Sequence, residues 1–379
     1  DLTLAGIAIG LAMASKLSSG LLILLFLGWW SYVGLREHLF SGRWNRCHVW
    51  PLHATTLLAF AALTFRLFQP YAFRYASPFD WRLSPAFTSA LTQQHAIQTG
   101  ELDWPPGIQW AGTAPWLYPI EQIIRWGVGP TFGIAAFIGL ALAIIVWWRS
   151  GHHPLAIPIV WTTLNFVVFG AFVLKTMRYF HPIYPMLALV TAWTFVWLWR
   201  GSRTPWLKTQ RHRRLAIGCV LAAVLGASFL WALAFVQIYG RDHPRVAASA
   251  FIYEHVPHGS SIVVEHWDDA LPLRLQDRNP GQYNIRELRV FDQDSESKRR
   301  ELIEVLGSAD LVILASDRGA ATIPRIPQRY PLTRQYYQAL VDGSLGFELL
   351  ATFRSQPSLG PWLFDDRDAE EAFTVYDHP

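Results

Sequence analysis

Uncharged apolar runs recur along the first two-thirds of the chain, at residues 17–35, 128–148, 154–174, 180–199 and 215–238. Each approaches the ~20 residues a helix needs to cross ~30 Å of hydrocarbon, so the pattern predicts membrane spans rather than core helices. A sixth span is expected at residues 50–68, where His53 and Arg66 fall near the ends and could reach the headgroups. Residues 2–15 are equally apolar but shorter, and read as the end of a helix that begins before Asp1.

After Tyr239 the pattern changes. Residues 246–255 and 296–306 have helical spacing, while 261–265, 287–291, 310–315, 347–354 and 372–376 read as strands. Strands alternating with helices predict a small α/β domain. The expected fold is therefore mainly α: a polytopic transmembrane helix bundle over residues 1–239, followed by a small soluble α/β domain over 240–379.

Composition supports a membrane protein, with 52% hydrophobic and only 16% charged residues, 19 of the 379 being Trp. The net charge of +4 does not indicate nucleic acid, because the cations cluster in short loops between apolar runs instead of forming a binding stripe. Cys47 and Cys219 have neither disulfide nor metal-ligand spacing.

Those loop cations set an orientation. Residues 200–214 hold six Lys or Arg and no acid, and residues 36–49 hold three Arg. By the positive-inside bias these loops face the cytoplasm, which puts residues 69–127, residues 175–179 and everything after Tyr239 on the other side. Lys16 falls on that side too. Lys16, Lys175 and Arg178 are then cations at an exterior membrane edge, where the bias does not favour them and where ionisable groups mark ligands or pathways. A lipid phosphate is a natural partner, with the Tyr179 phenol as a further donor. Snorkelling to water is the alternative for Lys16.

The exterior segment 69–127 is long for a connection between spans. Ser84-Pro85 opens a predicted helix running through Gln98, and Gly100 stops it. Beyond it, Asp103, Gln109 and Trp110 are candidates for sugar or acceptor contact, since aromatic faces stack on pyranose rings and carboxylates and amides bond hydroxyls. Trp116, Tyr118 and Trp126 read as interfacial anchors. Glu265-His266-Trp267-Asp268-Asp269 follows a predicted strand, where open α/β sheets hold ligands. A divalent cation there is set against a solvated loop, and His152-His153 and residues 255–258 read as loop histidines without zinc spacing.

Residues 5–16, ending Ala14-Ser15-Lys16, resemble the helix end "GLxLGLAxxTK" of the family 39 membrane glycosyltransferases. Residues 175–185, from Lys175 to Pro185, resemble that family's "K/R-x-x-x-Y-x-x-P-x-x-P" motif. The resemblance implies a GT-C-like fold and sugar transfer from a polyprenyl-phosphate donor to a glycan, lipid or protein acceptor on the extracytoplasmic side of the cytoplasmic membrane. It also implies that Tyr179 contacts the carrier phosphate, with Lys175, Arg178 and Lys16 as cationic neighbours. The family's acidic catalytic base follows its first membrane helix, so it is expected upstream of Asp1. No cofactor is required, although a divalent cation is compatible with the chemistry. A transporter or lipid flippase would call for broken helices and internal repeats, and a non-catalytic scaffold would use the exterior domain to bind a partner.

Overall fold

In a computed structural model, described for residues 1–41, 49–102, 105–151, 154–201, 210–276 and 278–369, the apolar runs are helices. With the polar α4 and the short α5 between them, the helices in order are α1 (Leu2–Ser15), α2 (Leu21–Ser41), α3 (Val49–Phe68), α4 (Pro85–Thr99), α5 (Leu117–Gln122), α6 (Pro130–Ser150), α7 (Ala156–Gly170), α8 (Tyr184–Arg200) and α9 (Gln210–Val236). Among the described residues, five stretches are long and apolar enough to cross a membrane: 17–34, 51–68, 130–150, 181–200 and the one that contains α9. The chain is a mainly helical protein with membrane-length apolar helices.

One expected span is shorter than its apolar run. The helix within 154–174 is α7, whose 15 residues rise about 22 Å, and the chain leaves helical geometry after Gly170. An apolar run limits where a helix can lie without determining where it stops.

The chain divides into two compact units. The first comprises residues 1–102, 136–172 and 179–200, and the second residues 103–135, 173–178 and 201–379. In the first, α1 packs closely on α3 because Gly6 and Gly10 let the backbones meet. A Cβ on Gly10 would stand 2.5 Å from the Ala61 carbonyl oxygen and 2.6 Å from the Thr64 Cβ, and one on Gly6 would meet the Leu57 carbonyl oxygen at 2.7 Å. Small residues one turn apart are how membrane helices approach closely where lipid removes the hydrophobic drive.

Two polar side chains of α3 differ from expectation. Arg66 is buried, donating to the carbonyls of Tyr75, Ser77 and Asp80 and lying over the Phe73 ring. It ties down residues 69–83 instead of reaching headgroups, because that loop supplies the carbonyl oxygens a desolvated guanidinium needs. His53 packs edge-on against Trp30 at 5.0 Å. The α4 signals act as read: the Ser84 hydroxyl accepts from the Phe87 N–H, Pro85 is the first helical residue, and Gly100 closes the helix at φ +81°.

The second unit carries α10 (Pro244–His255), α11 (Glu296–Gly307), α12 (Asp317–Ala320) and α13 (Pro331–Val341). They accompany a parallel sheet of β1 (Ser261–Glu265), β2 (Asn284–Leu288) and β3 (Leu311–Ile313), in the order β2-β1-β3. Val263 and Leu288 pack on Val305, Tyr330, Tyr336 and Tyr337, while Ile262 and Val264 face Ile252, Tyr253 and Tyr283. The sheet is covered on both faces, as parallel sheets require.

The strand expected at 287–291 starts three residues earlier, at Asn284. Residues 347–354, also read as a strand, pair with nothing in either sheet among the described residues, because an apolar stretch becomes a strand only when a neighbouring edge takes its backbone groups. A hairpin of β4 (Ser358–Leu359) and β5 (Trp362–Leu363) follows instead. Residues 372–376, like Cys47, Asp103 and His152-His153, lie outside the described residues.

Candidate functional site

In the first unit, α1 stops at Ser15 and a 3-10 turn, Leu17–Gly20, begins after Lys16. Lys16 therefore occupies a break between helical segments in extended backbone, φ −151° and ψ 113°. Its Nζ stands 5.4 Å from the centroid of the Tyr179 ring, a cation–π distance. Tyr179 stacks on Phe169 at 5.5 Å, and its hydroxyl accepts a hydrogen bond from Gln98 Nε2 at 3.1 Å. Accepting from Gln98 leaves the phenol its own proton to donate. Lys16 and Tyr179, 163 positions apart by number (179 − 16), thus come together. Gln98 was not expected at the site, and nothing in its own stretch marks it beyond its place in the last turn of a polar helix.

In the second unit, Lys175 is only 4% exposed. Its Nζ donates to Thr113 Oγ1 at 3.1 Å and to the Val173 carbonyl at 3.3 Å, and among the described residues no carboxylate lies within ion-pair distance. Burial lowers its pKa. An ammonium held by a hydroxyl and a carbonyl, without a counter-charge, is a cation whose desolvation is uncompensated.

Thr113 Oγ1 in turn donates to the Trp110 carbonyl at 2.7 Å, which connects Lys175 to the segment Pro105–Trp110. There Gln109 Oε1 and Trp110 Nε1 are buried and make no hydrogen bond. Arg325 Nη2 bonds the Gln109 carbonyl at 2.7 Å and Ile108 enters the core beside Val263 and Tyr337, so the segment is pinned to the sheet region. Lys175, Gln109 and Trp110, proposed separately from sequence, are thus neighbours through Thr113, which sequence reading missed. Arg178 is exposed.

The acidic stretch after β1 does not assemble a metal site. His266 Nδ1 meets Glu287 at 2.8 Å, Asp269 pairs with Arg245, and Asp268 Oδ2 accepts from Ser316 at 2.6 Å, with Arg318 3.8 Å from Oδ1. Glu265 points into the core against Tyr336 and Tyr337. Glu265 is the last residue of β1 and the others lie in the turn that follows, where Trp267 takes φ +79°, so the side chains leave in different directions. Among the described residues no three His, Cys, Asp or Glu side chains converge to hold a metal.

An open cleft of about 700 Å³ lies elsewhere in the second unit, lined by Arg125, Asp317, Asp365, Arg367 and Asp368. Its arginines are paired with its own carboxylates, Arg125 with Asp368 and Arg367 with Asp365. Self-neutralised charges of this kind do not make an anion site. No protein-family model, curated protein or solved structure matches this chain.

Proposed function

We propose that this chain is an integral membrane glycosyltransferase of GT-C-like fold, moving a sugar from a polyprenyl-phosphate donor to an acceptor hydroxyl at the extracytoplasmic face, with residues 240–379 as an α/β domain on that side. The observation that carries the reading is Lys175, an ammonium buried with no carboxylate beside it among the described residues. Such a group gains most from a partner that arrives with negative charge, and phosphate oxygens form charge-assisted hydrogen bonds with it. The Trp110 indole N–H and the Gln109 amide oxygen, both unpartnered, suit a polar ligand beside it. In the first unit, Lys16 and the Gln98-held phenol of Tyr179 are the same kind of donors.

The chemistry explains why cations serve. The bond from the anomeric carbon to the carrier phosphate breaks, a bond to the acceptor oxygen forms, and the acceptor proton passes to a base. Negative charge grows on the leaving phosphate, so donors aimed at it stabilise the transition state more than the ground state.

Transfer of labelled sugar from polyprenyl-phosphate donors in membranes containing the protein is the direct test. Lys175→Ala should slow transfer on the order of a hundredfold or more while the protein still inserts. Tyr179→Phe, which keeps the stack on Phe169 and loses only the hydroxyl, should slow it less. Transfer by Lys175→Ala at the wild-type rate would refute the assignment.

A further inference from the structure

The hairpin of β4 and β5 runs alongside the C-terminal end of α9, and four contacts fix its height there. Arg241, just past the helix, donates to the Ser358 hydroxyl and, at 3.3 Å, to the Gln356 carbonyl. Ser355 Oγ reaches the Ile238 carbonyl at 3.5 Å. Phe364 packs edge-on against Trp231 at 5.2 Å. Trp231 precedes the last residue of α9, Val236, by more than a turn, roughly 7 Å at ~1.5 Å per residue. Phe364 therefore reaches back along the apolar part of the helix, and the hairpin lies beside its last turns.

The hairpin turns at Gly360, with φ +57°, and Pro361. Beyond the turn, Trp362 and Leu363 are 70% and 64% exposed. α9 is also apolar and exposed near this end, at Phe229, Leu230 and Val236, on sides of the helix other than that of Trp231. Trp126 packs on Trp231 at 5.6 Å and on Phe235 at 6.5 Å, so aromatic rings gather at this level of the helix, as they do where spans meet headgroups. Asp365 and Arg367, paired and exposed, follow at once and limit how far the hairpin can enter an apolar phase.

We propose that this hairpin is a membrane foot, with Trp362 and Leu363 inserted at the boundary of headgroups and acyl chains in the leaflet that the C-terminal end of α9 crosses. The occupant of the exposed apolar pair is lipid because the pair lies beside the last turns of a membrane-length helix, at the level where its aromatic rings gather. Insertion is shallow, with Trp placed where an amphipathic ring is favoured. The foot does not depend on the sugar-transfer reading, and it would hold the chain after α13 against the bilayer whatever reaction the protein performs.

The test uses the whole chain with Cys47 and Cys219 replaced by Ser and one new cysteine, Trp362→Cys, Leu363→Cys or Ile303→Cys, carrying a polarity-sensitive fluorophore. Ile303, on α11, is exposed to a similar extent, 67%. In phosphatidylcholine nanodiscs containing lipid with a doxyl group high on the acyl chain, the labels at 362 and 363 should lose most of their fluorescence and emit at shorter wavelength than the label at 303. Leu363→Cys keeps Trp362, so a hairpin disturbed by losing the indole does not decide the outcome. Equal lipid quenching at all three positions overturns the proposal. So does quenching of 362 and 363 by aqueous iodide, or protection from both quenchers, which would mark a protein partner.

Discussion

Replacing Glu265 with Gln should remove a pH dependence built into the parallel sheet. Glu265 ends the central strand, is 3% exposed, and among the described residues has no cation against it. Its Oε1 has no hydrogen-bond partner, and the adjacent hydroxyls of Tyr336 and Tyr337 make no well-formed bond. Burial pushes its pKa up to about 8; the tyrosine hydroxyls oppose that rise and the Asp268 charge adds to it.

An unfolded Glu titrates near 4.3, so between about pH 4.3 and 8 the folded chain keeps a proton that the unfolded chain releases. Stability contributed by this site is therefore full below pH 4, falls as pH rises through that window by ~1.4 kcal/mol per unit, and levels off above pH 8. The whole loss is about 5 kcal/mol, an upper bound because water entering the site would relieve part of it.

Glu265→Gln keeps the shape and cannot ionise. Its local stability should match the wild type near pH 4.5 and exceed it by up to about 5 kcal/mol at pH 9. Hydrogen exchange of the intact protein in nanodiscs reads this directly, as protection factors for peptides covering β1, β3 and α13, corrected for the intrinsic pH dependence of exchange. Parallel pH profiles for the two proteins would refute the reasoning.

Gly10→Leu should lower the thermal midpoint in detergent sharply. Its side chain has to enter space held by the Ala61 carbonyl and Thr64, and even Gly10→Ala should cost ~1–3 kcal/mol. Gly28→Ala, with nothing within 4 Å, should be neutral or mildly stabilising in the same measurement. Asp294→Ala strands the buried Lys298 ammonium and the N–H groups of Leu332 and Thr333, and should cost ~3–5 kcal/mol of local stability, seen as faster exchange in α11 and α13.

Part of this protein is legible along the chain because the signals are local. Run length and absence of charge announced the membrane-length helices. Ser84, Pro85 and Gly100 bounded α4, and β-branched residues marked β1. Lys16, Lys175 and Tyr179 stood out because a cation at the edge of an apolar run calls for a reason. The glycines of the family-like stretch could be seen too, but the need for them could not: Gly6 and Gly10 answer to α3, about fifty residues away in sequence.

What the chain could not announce depends on which residue lies opposite. Residues 347–354 read as a strand and find no edge among the described residues, α7 ends inside an apolar run, and Arg66 turns from the lipid edge to a loop of carbonyls. The acids at the end of β1 look like one cluster in sequence, yet the turn that follows the strand sends each to a different partner. Burial of Lys175 beside Thr113 and of Glu265 beside two tyrosines joins segments tens of residues apart. Hydrophobic length and capping are properties of consecutive residues, whereas desolvation and pairing are properties of neighbours in space, and only the tertiary structure decides those.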